Sequence, residues 1–197
     1  NGYIDQPLTL ISNEGKTVYD DGYFDFVMTD NVLEHVSSID TVISEIDRIT
    51  APKGAGYHIF PAHRQPVEGH LFMPFVHWIK PGKFRRFMIS FFVKMGREPK
   101  WKELDHSRQM EKVETYYKYS LNNIFYRHFS VIQQKFEKKG FEIQFLTIDH
   151  PEITKNKLLG PMSKSKIFRG GLSRLLLTFK QVEIFANRKK IQENNYR

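Results

Sequence analysis

The chain has 197 residues, 40% of them hydrophobic, with a formal charge of +8 and no cysteine. That apolar content excludes wholesale disorder, and the missing cysteines exclude a disulfide framework, a thiolate zinc site and a thiol nucleophile. No run approaches the ~18–20 apolar residues of a membrane span, and the opening NGYIDQPLTL has no basic region followed by an apolar core, so it is not a signal peptide. The length suits one domain, or one domain with a large insertion. The positive charge points to an anionic partner (nucleic acid, anionic lipid or a phosphorylated substrate) or simply to solubility.

In chain order, LTLI at 8–11 is a short strand candidate, and 12–23 is a loop turning at Asp20-Asp21-Gly22. The run 24–29 is rich in β-formers and reads as a strand buried on both faces. Just past it come Asp30, Asn31, Glu34 and His35, where open α/β sheets bind their ligands. Ser37 starts a helix in a capping-box-like arrangement with Asp40, and Ile39, Val42, Ile43, Ile46 and Ile49 make its core-facing stripe. Pro52-Lys53-Gly54 is expected to stop that helix, before a second buried strand at 56–62. Strand, helix, strand in this order argues for a parallel sheet with a right-handed crossover, and for Asp30 and Asn31 on the same sheet edge as Ala62 and His63.

The text NEGKTVYDDGYFDFVMTDNVLEHV, continued by SSIDTVISEIDRITAPKG, resembles the class I S-adenosylmethionine-dependent methyltransferases, specifically their type 11 group. The resemblance is specific from Asn13 to Gly54 and weakens to topology towards the end of the chain. It implies an α/β fold: a Rossmann-like class I methyltransferase sheet, incomplete on its amino-terminal side, with an antiparallel closing strand and a helical insertion. It implies S-adenosylmethionine as cofactor. Asn13 would meet the adenine amino group through its amide oxygen, the backbone amide of Glu14 the ring nitrogen, and Asp30 and Asn31 the methionyl and sulfonium end. His35 is the candidate catalytic base, since an imidazole titrates near the operating pH. Glu34 reads as a capping or supporting residue.

Residues 63–119 are too long for a βα connection and are expected to form an insertion with helices of its own. His63, Arg64, Glu68, His70 and His77 follow the second strand and are the candidate substrate-binding residues on the carboxyl edge. The string GHLFMPFVHW looks like one that follows this strand in type 11 relatives, and implies a pocket walled by Phe72, Phe75 and Trp78. The spacing of His63, His70 and His77 is not a metal-ligand pattern, so no metal is expected. The segment 80–102, KPGKFRRFMISFFVKMGREPKWK, mixes positive charge with Phe84, Phe87, Phe91, Phe92 and Trp101. It reads as a lid helix, or as an amphipathic contact with anionic membrane. Nothing in it has an RNP, zinc-finger or helix-turn-helix pattern, so nucleic acid is not the expected partner.

Beyond the insertion, 120–139 reads as a helix ended by Gly140, 141–148 as a strand, the stretch around Pro151 and Gly160-Pro161 as a polar loop, and 175–187 as containing the last strand. The tail 189–197 is polar and expected to fray. The family's glycine-rich turn and the acidic ribose contact have no counterpart in this text. The chain therefore reads as the carboxyl-terminal two-thirds of a methyltransferase, and alone it is expected to bind the cofactor weakly. The expected activity is methyl transfer to a small-molecule or lipid- or glycan-linked acceptor, in a reducing cytoplasmic setting, with peripheral membrane contact through 80–102. The rival is a non-catalytic Rossmann-like module that holds anionic membrane or nucleic acid through the basic insertion.

Overall fold

The computed structural model describes residues 11, 12 and 14–189. The strand expected at 8–11 lies outside them but for Ile11, as do Asn13 and the tail from 190. Among the described residues, a four-stranded mixed sheet runs in the order β1 (Phe24–Asp30), β2 (Thr50–Pro61), β4 (Gln181–Arg188), β3 (Phe141–Phe145). β1 and β2 are parallel and joined through helix α1 (Ile39–Ile49); β4 lies antiparallel between β2 and β3. The α/β class, the parallel pair and the antiparallel closing strand follow the sequence reading.

Helices α1 and α4 (Phe129–Lys138) supply Ile39, Ile43, Ile46, Ile132 and Phe136 to one core with Phe60, Val182 and Ile184 of the sheet. The isoleucines of α1 recur at three and four residues, so burial of one stripe orients the whole helix. The cap is Ser38 rather than Ser37: its hydroxyl accepts from the Thr41 amide at 3.4 Å.

Four expectations need correction. β1 is an edge strand of the described sheet, with Phe26 and Met28 half exposed, so it is not buried on both faces. Pro52-Lys53-Gly54 does not end α1; the helix stops at Ile49, and these residues form an irregular opening of β2, where Phe24 faces Thr50 and Phe26 already faces Ala55. Proline lacks the ladder donor, which confines it to such irregularities. A Cβ on Gly54 would lie 2.7 Å from Thr50 and 3.0 Å from the Asp25 carbonyl, so only glycine lets the two strands close there. The helix expected at 120–139 is two helices, α3 (Gln109–Asn122) and α4, because His128 caps α4 and the chain between them turns to bind the β1–α1 loop. The polar loop after β3, which ends at Phe145 rather than 148, is helical: α5 (Pro151–Thr154), α6 (Leu159–Lys164) and α7 (Arg169–Phe179) pack around Ile148, Ile153, Leu172 and Leu176.

Residues 63–119 carry α2 (Lys83–Lys94), most of α3 and two short 3-10 turns. Their apolar side chains form a separate cluster of Leu71, Met73, Val76, Ile89, Phe92, Val93, Tyr116 and Tyr117. No described helix is long and apolar enough to cross a membrane.

Candidate functional site

β1 and β2 run in parallel, with Asp30 opposite Ile59, so Asn31 and the chain after Pro61 emerge on one edge. Asn31 takes a left-handed conformation, φ 50°, which asparagine tolerates better than most residues. Its amide donates to the Ile59 carbonyl at 3.0 Å, and its side chain donates to Asp30 at 2.8 Å. Both residues are exposed. A cleft of about 360 Å³ opens beside them, lined by Asn31, Pro61, Gln65, Gly69, His70, Lys180 and Gln181. Glu14 lines a different cavity, with Asp40, Thr41, Ser44 and Arg48. A further cavity, about 610 Å³ and lined by Arg48, Thr50, Gly140 and Arg188 among others, is on the opposite edge, where the strands begin.

Glu68 is fully buried. Its carboxylate accepts from the amides of His70 (3.0 Å) and Leu71 (2.5 Å), from His70 Nδ1 (2.8 Å) and from the Tyr126 hydroxyl (2.7 Å). Burial alone would raise its pKa, but the donors, His70 foremost, together hold it below the usual value. Its oxygens are occupied by the chain, so Glu68 is a hub that positions His70 and not a direct substrate contact. The same ion pair raises the pKa of His70, against burial.

His35 sends Nδ1 to the Asn123 carbonyl at 2.7 Å. A carbonyl only accepts, so Nδ1 carries the proton and Nε2 keeps its lone pair. The His35 and His70 rings meet edge to face at 4.6 Å. Between them and the core lies Glu34, 2% exposed, whose two carboxylate oxygens have no hydrogen-bond donor among the described residues. Burial raises its pKa. The loop holding Glu34 and His35 is fixed from behind. Arg127 donates to the carbonyls of Leu33 (3.1 Å), Val36 (2.6 Å) and Ser37 (2.8 Å), and the Phe125 amide to that of Glu34 (2.6 Å).

The remaining candidates are dispersed. His77 packs against Tyr126 at 4.9 Å, neither ring nitrogen has a partner among the described residues, and burial lowers its pKa to about 4. His63 meets the His128 ring edge to face at 4.8 Å, and burial, with some help from His128 and Arg64, lowers its pKa. The Arg64 side chain is exposed. Asn123, Tyr126 and Arg127 were not legible as site residues because the sequence places them inside one continuous helix. The signal against that helix was the run of polar and aromatic residues NNIFYRH.

The methyltransferase domain family matches residues 5–57. No curated protein matches the chain. Among solved structures, phosphoethanolamine N-methyltransferase 2 of Haemonchus contortus aligns at 11% identity over 88% of this chain and 35% of that one, with a TM-score of 0.41. Geranyl diphosphate C-methyltransferase of Streptomyces coelicolor A3(2) aligns at 14% over 88% and 51%, with a TM-score of 0.40. The YcgJ protein of Bacillus subtilis aligns at 12% over 88% and 68%, also at 0.40. The chain thus spans about a third of the length of the first of these. The matched residues, 5–57, carry β1 and the Glu34–His35 loop, and the similarity to the methyltransferase domain family is to that segment.

Proposed function

We propose that this chain takes part in S-adenosylmethionine-dependent methyl transfer, with the methyl acceptor entering the cleft between Asn31 and His70. The observation that carries this reading is the coincidence of two things: the segment with the family match ends β1 at Asp30 and Asn31, and the cleft begins there. Ligands of α/β sheets bind at this carboxyl edge. Asp30 and Asn31 then face the sulfonium end of the cofactor, and Asn13 and Glu14 its adenine end. His63, Arg64, His70 and His77 lie on the acceptor side. His35 is the residue closest in chemistry to a proton acceptor, although alignment alone drives many such transfers. The acceptor is a small molecule or a lipid- or glycan-linked compound, and the setting is cytoplasmic.

The test is titration of S-adenosylhomocysteine into the isotopically labelled chain, followed by amide resonances. Shifts at Asp30, Asn31 and Gly69 are expected. Shifts confined to the opposite edge, around Arg48 and Arg188, would remove the reading.

A second contact has an observation of its own. On α2, Phe84, Phe87, Phe91 and Met95 are 62%, 62%, 46% and 57% exposed, while Phe92 is 7% exposed and packs inward. The four exposed side chains repeat at helical spacing, and Lys83, Arg86 and Lys94 flank them. The stripe therefore excludes Phe92, and a lid that buries its whole phenylalanine face does not describe this helix. Apolar side chains rimmed by cations fit an anionic lipid surface, at peripheral depth. Vesicle sedimentation should show binding to anionic vesicles that falls steeply with salt; equal binding to neutral vesicles defeats the proposal.

A further inference from the structure

Two imidazoles and one carboxylate converge where β1 gives way to α1. One ligand-competent atom from each of Glu34, His35 and His70 lies within 4.8 Å of the other two. Three features separate this group from an ordinary polar cluster. First, both histidines have Nδ1 committed elsewhere: His35 to the Asn123 carbonyl at 2.7 Å, and His70 to the Glu68 carboxylate at 2.8 Å. In the neutral imidazole each Nε2 is thereby the nitrogen left to bind a metal. A backbone carbonyl or carboxylate behind an imidazole is the arrangement that fixes a metal-binding tautomer and ring orientation. Second, Glu34 is buried, and neither of its oxygens has a hydrogen-bond donor among the described residues; His35 Nε2 stands 3.9 Å from one of them. Buried polar groups are ordinarily satisfied, and an unsatisfied carboxylate is costly unless something of opposite charge meets it. Third, the group is held firmly. Arg127 and the Phe125 amide tie down the loop of Glu34 and His35, and Glu68 is itself anchored by Tyr126 and the Leu71 amide.

We infer that Glu34, His35 and His70 form a binding site for a divalent transition-metal cation. The donor set, two imidazole nitrogens and one carboxylate oxygen, suits zinc and its borderline neighbours such as cobalt, and not magnesium or calcium, which prefer all-oxygen shells. Ligand atoms about 2.1 Å from one ion sit roughly 3–3.5 Å apart, so a spacing within 4.8 Å closes by small side-chain rotations. Three protein ligands leave at least one position for another molecule. His70 also lines the Asn31 cleft, so the site adjoins the cavity assigned to the acceptor. The motif is scattered in sequence, at positions 34, 35 and 70. Inspection of histidine spacing alone (63, 70, 77) therefore selects the wrong partners.

The test needs no cofactor or acceptor, so its outcome is independent of the methyl-transfer reading. Cobalt(II) alone is titrated into the chain and followed by its visible absorption, with zinc competition. The expected result is one tight equivalent, displaced by zinc, with imidazole-type absorption. Glu34→Gln and His70→Ala should each weaken it more than about 100-fold, and Glu68→Gln, which only positions His70, about 10–100-fold. His106→Ala, an exposed histidine elsewhere, should change nothing. Circular dichroism of each variant separates lost binding from lost folding, and His35→Ala, at an exposed position, serves if Glu34→Gln is unstable. Absence of cobalt binding at millimolar concentration, or binding indifferent to both Glu34→Gln and His70→Ala, would overturn the site.

Discussion

At the edge where the strands begin, the buried carboxylate Glu45 accepts from the Thr17 amide and hydroxyl, both at 2.7 Å, and from Arg48 at 2.7 and 2.9 Å. The edge where β1 and β2 end buries Glu34, a carboxylate of the same type, and gives it no donor among the described residues. The hydrogen bond to Arg48 is the main cause that lowers the pKa of Glu45 to about 2, whereas burial raises that of Glu34. The first edge meets Glu45 from within the chain and carries a cavity of about 610 Å³. The other leaves Glu34 without a donor among the described residues; Glu34 and Glu45 both lie in the segment that matches the methyltransferase domain family.

Each edge also has an arginine fork, and these give the largest expected effects. Arg188 donates to the Asp47 carboxylate at 2.6 Å and to the carbonyls of Asp47, Thr50 and Lys139. Arg127 donates to four carbonyls, three of them on the loop of Glu34 and His35. Replacing either with methionine should cost about 2–4 kcal/mol in denaturant unfolding, because several charge-assisted bonds go and the acceptors stay buried. The difference lies in function. Arg127→Met should also weaken S-adenosylhomocysteine and cobalt binding, while Arg188→Met should leave both intact in the folded fraction. Equal functional loss in the two variants would erase the distinction between the edges.

The next effect belongs to the sheet between them. His58 is fully buried, with Nδ1 2.9 Å from the Thr29 hydroxyl, and burial lowers its pKa to about 4. The unfolded chain takes up a proton near pH 6.5, whereas the folded chain holds out to about 4. Stability from this residue is therefore full above pH 6.5 and is lost as the pH falls through that window. The loss should reach about 3 kcal/mol from His58 alone, and His58→Asn should flatten it. An unchanged pH profile in that variant would place the titration elsewhere, with His77 the next candidate.

What the sequence made legible follows the same division. The isoleucine stripe of α1, the β1 run and Gly140, with φ +82°, are local signals, and each was readable. The pairing of Glu34 with His70, and the use of Arg127 to clamp their loop, depend on contacts 36 and 90–94 residues apart. No periodicity encodes these. The helix expected at 120–139 failed for the same reason. Isoleucine and phenylalanine at 124, 125 and 129 mimic a helical stripe, but the chain breaks so that Phe125 and Arg127 can reach the β1–α1 loop. Tertiary demand outweighed local propensity there.

A smaller effect isolates packing from the site. Ser38→Ala removes the cap of α1 and should cost about 0.5–1 kcal/mol. It should leave cobalt affinity within about twofold, since the loop is held by Arg127 and not by the cap. A larger loss of affinity would mean that the start of α1, rather than the arginine fork, positions Glu34.

The smallest effect is the most discriminating, because its sign is expected to be unusual. Glu45 has a lowered pKa, so it contributes stability above its unfolded value of 4.5 that is lost as the pH falls towards 2. Glu45→Gln should therefore destabilise the chain at pH 7. Glu34 has a raised pKa, so its stabilising form is the protonated one, present below 4.5 and lost as the pH rises through the folded value. At pH 7 its ionised form is a cost, and Glu34→Gln should leave metal-free stability unchanged or raise it by about 0.5 kcal/mol, an amide being cheaper to bury than a charge. Zinc should invert the order. A ligand that binds only the folded state adds about 2.7 kcal/mol at 100 times its dissociation constant, so the wild-type chain should gain and Glu34→Gln should not. Thermal unfolding of both proteins with zinc and with a chelator gives all four values. If Glu34→Gln is destabilised without metal as much as Glu45→Gln, Glu34 is another internally satisfied structural carboxylate, and the contrast between the two edges fails.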